Sequence, residues 1–143
     1  MKKVFEYKTL FAIMLFMICQ TIGPQSLYNS SNMLIGKIAS DGIVLDQMNM
    51  TIGKFESDGN VRDRNNMLVG KIEKDGTVRD CMNMLVGKVK SDGEVVDKNN
   101  MQTGRVKSDG TVVNRHNMTI GYAKNVPVTY AAVFFFFGFF NHR

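Results

Sequence analysis

From Met33 onward, apolar and polar positions along this chain recur with a period of 17 residues, and the period never slips. Five full units read MLIGKIASDGIVLDQMN, MTIGKFESDGNVRDRNN, MLVGKIEKDGTVRDCMN, MLVGKVKSDGEVVDKNN and MQTGRVKSDGTVVNRHN, and a truncated sixth, MTIGYAK, begins at Met118. Each unit holds two short runs in which β-branched residues alternate with polar ones, interrupted by Asp-Gly. Alternation of period two is the pattern of a half-buried strand, and Asp-Gly between two such runs marks a hairpin. The pattern predicts an all-β fold of five tandem 17-residue β-hairpin repeats with a closing half-repeat.

Comparing units within the chain separates positions the fold requires from those it ignores. Six positions never change in the full units: the first Met, the fourth Gly (Gly36, Gly53, Gly70, Gly87, Gly104), Asp-Gly (Asp41-Gly42 through Asp109-Gly110), Val (Val44, Val61, Val78, Val95, Val112) and the last Asn (Asn49, Asn66, Asn83, Asn100, Asn117). Centring each hairpin on its Asp gives a three-residue loop such as Ser40-Asp41-Gly42, with Gly at a left-handed bulge position. That register pairs Ile38 with Val44, Phe55 with Val61, Ile72 with Val78, Val89 with Val95 and Val106 with Val112. Each such apolar pair contributes about 0.2–1 kcal/mol. A two-residue turn is the alternative and would set Lys37 opposite Asp46. The fourth Gly lies inside a strand, where Gly weakens the ladder unless a bulge, a bend or a close backbone approach demands it. The last Asn falls at the link between hairpins and tolerates the left-handed conformation a tight link needs.

A lone hairpin is marginal in water, so the units must bury their apolar positions against one another. The half-unit Met118–Lys124, laid beside the first unit, would close the circle and remove exposed sheet edges. The segment Val126–Phe140 (VPVTYAAVFFFFGFF) carries six of the ten Phe and does not repeat. It is expected to form a short helix entered through Pro127 and packed on the apolar side of the ring, since hairpins built of Met, Val, Ile and Leu lack the bulk to fill their own core. The competing reading is contact with a membrane or a partner. As a helix those residues would reach about 22 Å, short of the roughly 30 Å hydrocarbon core.

The pattern N-M-[LT]-[IV]-G-K-[IV]-x-x-D-G-x-V-x-D, over residues 33 to 140, resembles the five-fold β-flower proteins of Bacteroidetes, formerly a domain of unknown function. The resemblance implies hairpins set as petals about a pseudo-five-fold axis after a signal peptide. It supplies no activity, substrate or catalytic residue. The fifth unit departs from the pattern with Gln102-Thr103, Arg105 and Asn114.

The N-terminal residues change the picture of compartment. Met1-Lys2-Lys3 precedes an apolar run from Leu10 to Ile18, and Cys19, Gln20, Thr21 and Gly23 follow. Charge, a short apolar stretch and a small or polar exit make a secretory signal, and the run is about half the ~20 residues a spanning helix needs. Cleavage after Thr21 or Gly23 fits the small-residue rule, although Pro24 then sits unfavourably after the cut. Lipid attachment at Cys19 is the rival, with Ile18 a poor residue before it. The expected division is a signal at 1–23, a lead-in at 24–32, the hairpin-repeat domain at 33–124 and the Phe-rich segment at 125–143. The expected location is periplasmic or extracellular.

Of the net charge of +5, the chain beyond the signal keeps 15 Lys and Arg against 12 Asp and Glu, evenly interspersed. That is no nucleic-acid footprint. Cys81 is the single thiol expected in the exported chain, in a slot otherwise held by Gln47, Arg64, Lys98 and Arg115, so it reads as a surface residue. His116 and His142 have no metal-spaced companions. The Ser-Asp pairs (Ser57-Asp58, Ser91-Asp92, Ser108-Asp109) sit in repeated turn slots, whereas a catalytic triad needs one unique cluster. Asp46, Asp63, Asp80 and Asp97 could converge as a calcium ring, but a lattice with Lys37, Lys54, Lys71 and Lys88 explains both residue types without metal. Only Phe55 and Tyr122 are aromatic within the units, which disfavours sugar recognition by ring stacking.

These observations predict no catalytic residues, no cofactor and no metal. They point to a non-enzymatic exported scaffold or binding module of the cell envelope, presenting Leu45, Arg62, Arg79, Val96 and Val113 outward to an envelope protein or a glycan. A membrane-associated protein held by its Phe-rich segment is the alternative.

Overall fold

A computed structural model describes residues 25–140, so the signal-like segment at 1–23 and the Cys19 question lie outside the described residues. Twelve antiparallel strands close into a barrel: β1 (Gln25–Asn29), β2 (Leu34–Ile38), β3 (Ile43–Asp46), β4 (Thr51–Phe55), β5 (Asn60–Asp63), β6 (Leu68–Ile72), β7 (Thr77–Asp80), β8 (Leu85–Val89), β9 (Glu94–Asp97), β10 (Gln102–Val106), β11 (Thr111–Asn114) and β12 (Thr119–Lys124). One helix, α1 (Val128–Phe136), follows.

The five full units form the hairpins β2–β3 to β10–β11 in the expected three-residue-loop register. Ile38 pairs with Val44, Phe55 with Val61, Ile72 with Val78, Val89 with Val95 and Val106 with Val112. In the first loop the Gly42 amide donates to the Ala39 carbonyl at 2.9 Å, and Gly42 adopts φ 91°. Its carbonyl then accepts from the Phe55 amide of the next hairpin at 2.9 Å, so each turn also braces its neighbour.

The half-unit β12 does not lie directly on the first hairpin. It pairs with β1, from the segment expected to be a lead-in, and β1 in turn pairs with β2. Leu27 stands opposite Ala123 as Val44 stands opposite Ile38, and Asn29 opposite Gly121 as Asp46 opposite Gly36. Residues 25–32 are thus the second half of a sixth hairpin whose first half lies at the far end of the chain. The ring therefore has six hairpin positions, and the boundary expected at residue 33 separates no structural units.

The links between hairpins are equally regular. Asn49, Asn66, Asn83, Asn100 and Asn117 take φ of 64–65°, as the sequence predicts, and Asn32, ahead of the repeats, does the same. Asp46 Oδ1 accepts the amides of Met48 and Met50 at 2.8 and 2.9 Å, and Asp63, Asp80 and Asp97 repeat this arrangement. Asn114 does the same with His116 and Met118, so the departing fifth unit keeps its link.

Leu27, Val44, Val61, Val78, Val95 and Val112, one from each hairpin, are fully buried inside the barrel. Ala131, Ala132 and Val133 of α1 are buried with them, so the helix occupies the interior as the expected plug. Through the last turn of α1 and the residues after it the chain winds once around the axis, setting Phe134 against Gly36, Phe135 against Gly121, Phe136 against Gly104, Phe137 against Gly87, Phe139 against Gly70 and Phe140 against Gly53. Successive rings step one hairpin at a time. Gly138, at φ 65°, makes the bend and takes no slot. The fourth Gly of each unit thus exists because an aromatic ring occupies the space of its missing side chain. Phe140 is buried and the other five rings are half-buried, so each contributes at most the roughly 1.5–3 kcal/mol of a fully buried side chain.

Candidate functional site

An antiparallel meander puts all Asp-Gly turns at one end of the barrel and all hairpin links at the other, which gives the molecule two chemically distinct ends. At the Asp-Gly end the turns surround the entry of α1, leaving clefts between them. One of them, about 450 Å³, lies between the turns at Glu56–Gly59 and Glu73–Gly76 and the start of α1, with Phe55 and Tyr130 on its wall. These two rings stack at 4.1 Å between centroids and are nearly parallel.

Most carboxylates at this end are already partnered by nearby cations or by the amides of their own turns. Glu56 accepts from Arg62 Nε at 2.7 Å, and Glu73 accepts from Arg79 Nε at 2.6 Å. The Asp75 carboxylate is held below its ordinary value of 3.8 chiefly by the Thr77 amide, with the Thr77 hydroxyl second. Asp92 and Asp109 are lowered in the same way, first by the amides of Glu94 and Thr111. A carboxylate bonded to its own turn has little left for an acid–base task. The repeated Ser-Asp pairs lie at this end, whereas His116 lies in a link at the other, about 13 Å of strand away. They cannot form one cluster.

At the link end two expectations are corrected. Asp46, Asp63, Asp80 and Asp97 form no lattice with Lys37, Lys54, Lys71 and Lys88, because their carboxylates face the amides of their own links. Ion pairs run instead through Glu56, Glu73, Glu94 and Asp92. Nor does Met fill the core: Met33, Met50, Met67, Met84, Met101 and Met118 are 60–63 % exposed. Met48 and Met82 are 77 % exposed in the same links. Cys81 is exposed there too.

The outer face differs from expectation at two positions. Leu45, Arg62 and Arg79 are half-buried, but Val96 and Val113 are only 3 % exposed. Each stands across the ladder from a long-stemmed cation, Lys88 or Arg105, and such stems shield apolar neighbours. The sixth hairpin adds an aromatic pair that the unit pattern hides: Tyr28 stands opposite Tyr122, with Lys124 Nζ 5.4 Å from the Tyr28 ring centre. Aligning residues 25–32 with the second half of a unit would have found Tyr28. Among the described residues no group of three His, Cys, Asp or Glu is placed to hold a metal ion.

A family model described as 5-fold beta-flower protein matches residues 24–140. Neither a curated protein nor a solved structure matches the chain.

Proposed function

This chain belongs to the 5-fold beta-flower family, and from that premise we propose that it is an exported, non-enzymatic scaffold or binding module of the cell envelope. The observation that carries this reading is the filled interior. Ala131, Ala132 and Val133 are fully buried on the axis, and six Phe rings occupy the six glycine slots, so recognition falls to the two ends and the outer face. Repetition supports it further, because side chains that could do chemistry recur as turn-forming parts. The aromatic pair Tyr28–Tyr122 offers the flat surface a glycan uses, and the link end offers an exposed rim to an envelope protein.

Export rests on Lys2-Lys3 and the apolar run that follows. Intact-mass measurement on envelope-fraction protein tests it: the expected species lacks the leader, and full-length chain recovered from the cytoplasm overturns it. Anchoring through the Phe-rich segment is the weaker reading, because the rings that would enter lipid are set against the barrel's own glycines. No helix among the described residues is long and apolar enough to cross a membrane.

A further inference from the structure

All eight Met among the described residues stand in the hairpin links, and all eight are at least 60 % exposed. Met is normally an interior residue, so packing does not account for its presence at the start of every unit. The described Cys and His, Cys81 and His116, occupy links as well. Every soft or borderline donor side chain in the described protein is thereby gathered at one end of the barrel, and none stands at the Asp-Gly end.

One link carries three sulfur-bearing side chains. Cys81, Met82 and Met84 share the turn between β7 and β8, whose backbone is fixed in advance. The Asp80 amide donates to the Met84 carbonyl at 2.9 Å, Asp80 Oδ1 accepts from the Met82 and Met84 amides at 2.9 and 3.0 Å, and Asn83 is left-handed at φ 64°. The backbone and the carboxylate are thus spoken for, while the sulfur-bearing side chains reach solvent, Met82 at 77 % and Met84 at 62 % exposure.

We propose that this link binds a soft monovalent cation, copper(I) or silver(I), through Cys81 Sγ and the thioether Sδ atoms of Met82 and Met84. Neutral, polarisable thioethers are poor ligands for calcium, magnesium or zinc, and together with thiolate they select copper(I). Once gathered around the cation, three sulfurs would make a trigonal set. On binding, the Cys81 thiol releases its proton to solvent and the thiolate neutralises the cation. Met48 with Met50, and His116 with Met118, are two-donor links of the same kind and weaker for lacking the thiolate. The site is independent of export, because it is measured on purified protein.

Anaerobic titration of the reduced protein with copper(I) against the chelator bicinchoninate tests it. Wild type should withdraw one equivalent from the chelator. Cys81→Ser, and separately Met82→Leu with Met84→Leu, should weaken that binding by at least the roughly tenfold that losing even an outer-shell partner costs a metal site. A control carrying Met33→Leu, Met67→Leu and Met101→Leu, in links with no second soft donor, should bind as wild type does. All variants should melt alike, since each exchanged side chain is exposed. The proposal is overturned if wild type leaves the chelator complex intact, if the Met82/Met84 variant binds as tightly as wild type, or if the control loses the same equivalent.

Discussion

The Phe139 ring stands so close to the bare Cα of Gly70 that a Cβ added there would lie 2.5 Å from Cζ of the ring and 2.9 Å from the Arg79 carbonyl oxygen. The carbonyl cannot retreat because it belongs to the sheet, and the half-buried ring can make room only by leaving its slot. Gly70→Val should therefore destabilise by the roughly 1–3 kcal/mol typical of overpacking, or more. Thr77→Val, which loses only a hydroxyl contact to Asp75, should lose clearly less. Urea denaturation of the two variants checks this, and equal midpoints would sink the slot argument.

Removal of residues 126–143 takes away α1 and all six rings. The barrel then encloses a void lined by Leu27 and five Val side chains. Thermal melting of the truncated protein should lose its cooperative transition. A truncation that melts like the whole chain would overturn the plug and leave the segment free for a membrane.

Leu27 is fully buried opposite Ala123 in the hairpin built from both chain ends. Leu27→Ala should cost about 2–5 kcal/mol, as in any packed core. Were 24–32 a mere lead-in, the substitution would leave the urea midpoint near wild type.

Asp80 serves its link as an acceptor of two amides, the role Asn29 and Asn114 fill natively. Asp80→Asn should be near neutral, whereas Asp80→Ala should lose roughly 1–3 kcal/mol by leaving two amides without an acceptor. A calcium role for this carboxylate predicts instead that Asn is as harmful as Ala and that calcium raises the melting temperature of wild type.

Asp75, Asp92 and Asp109 have pKa values lowered on folding from the ordinary 3.8. The stability they contribute is fully present above that value and is lost as pH falls through the lower, folded values. Urea midpoints measured from pH 6 down to pH 2 should fall at the acid end, and less steeply in a variant with all three changed to Asn. An identical acid slope in that variant would show that these carboxylates are not the source.

Much of this architecture is written in local chemistry. Asp-Gly at a period of 17 residues fixes five hairpins, their register and the left-handed Asn links, because turn geometry depends on a few adjacent residues. The apolar tail could be recognised as a plug because its bulk matched what small hairpins lack. Other features depended on where distant segments meet. The sixth hairpin joins residues about a hundred positions apart, and the strand made by Gln25–Asn29 lacks the Gly and Val that mark the other units. The fourth Gly showed only that space was needed, and the closed barrel was required to bring each Phe ring to its own slot. Asp and Met differ from the reading of the spacing for a local reason. Sequence spacing placed Lys near Asp and counted Met as core, but the link folds each carboxylate onto its own amides and turns each thioether to solvent. Local turns, and with them the capped carboxylates and the exposed sulfur rim, are decided by neighbours in sequence; the plug and the closure are decided by long-range packing, which no single unit contains.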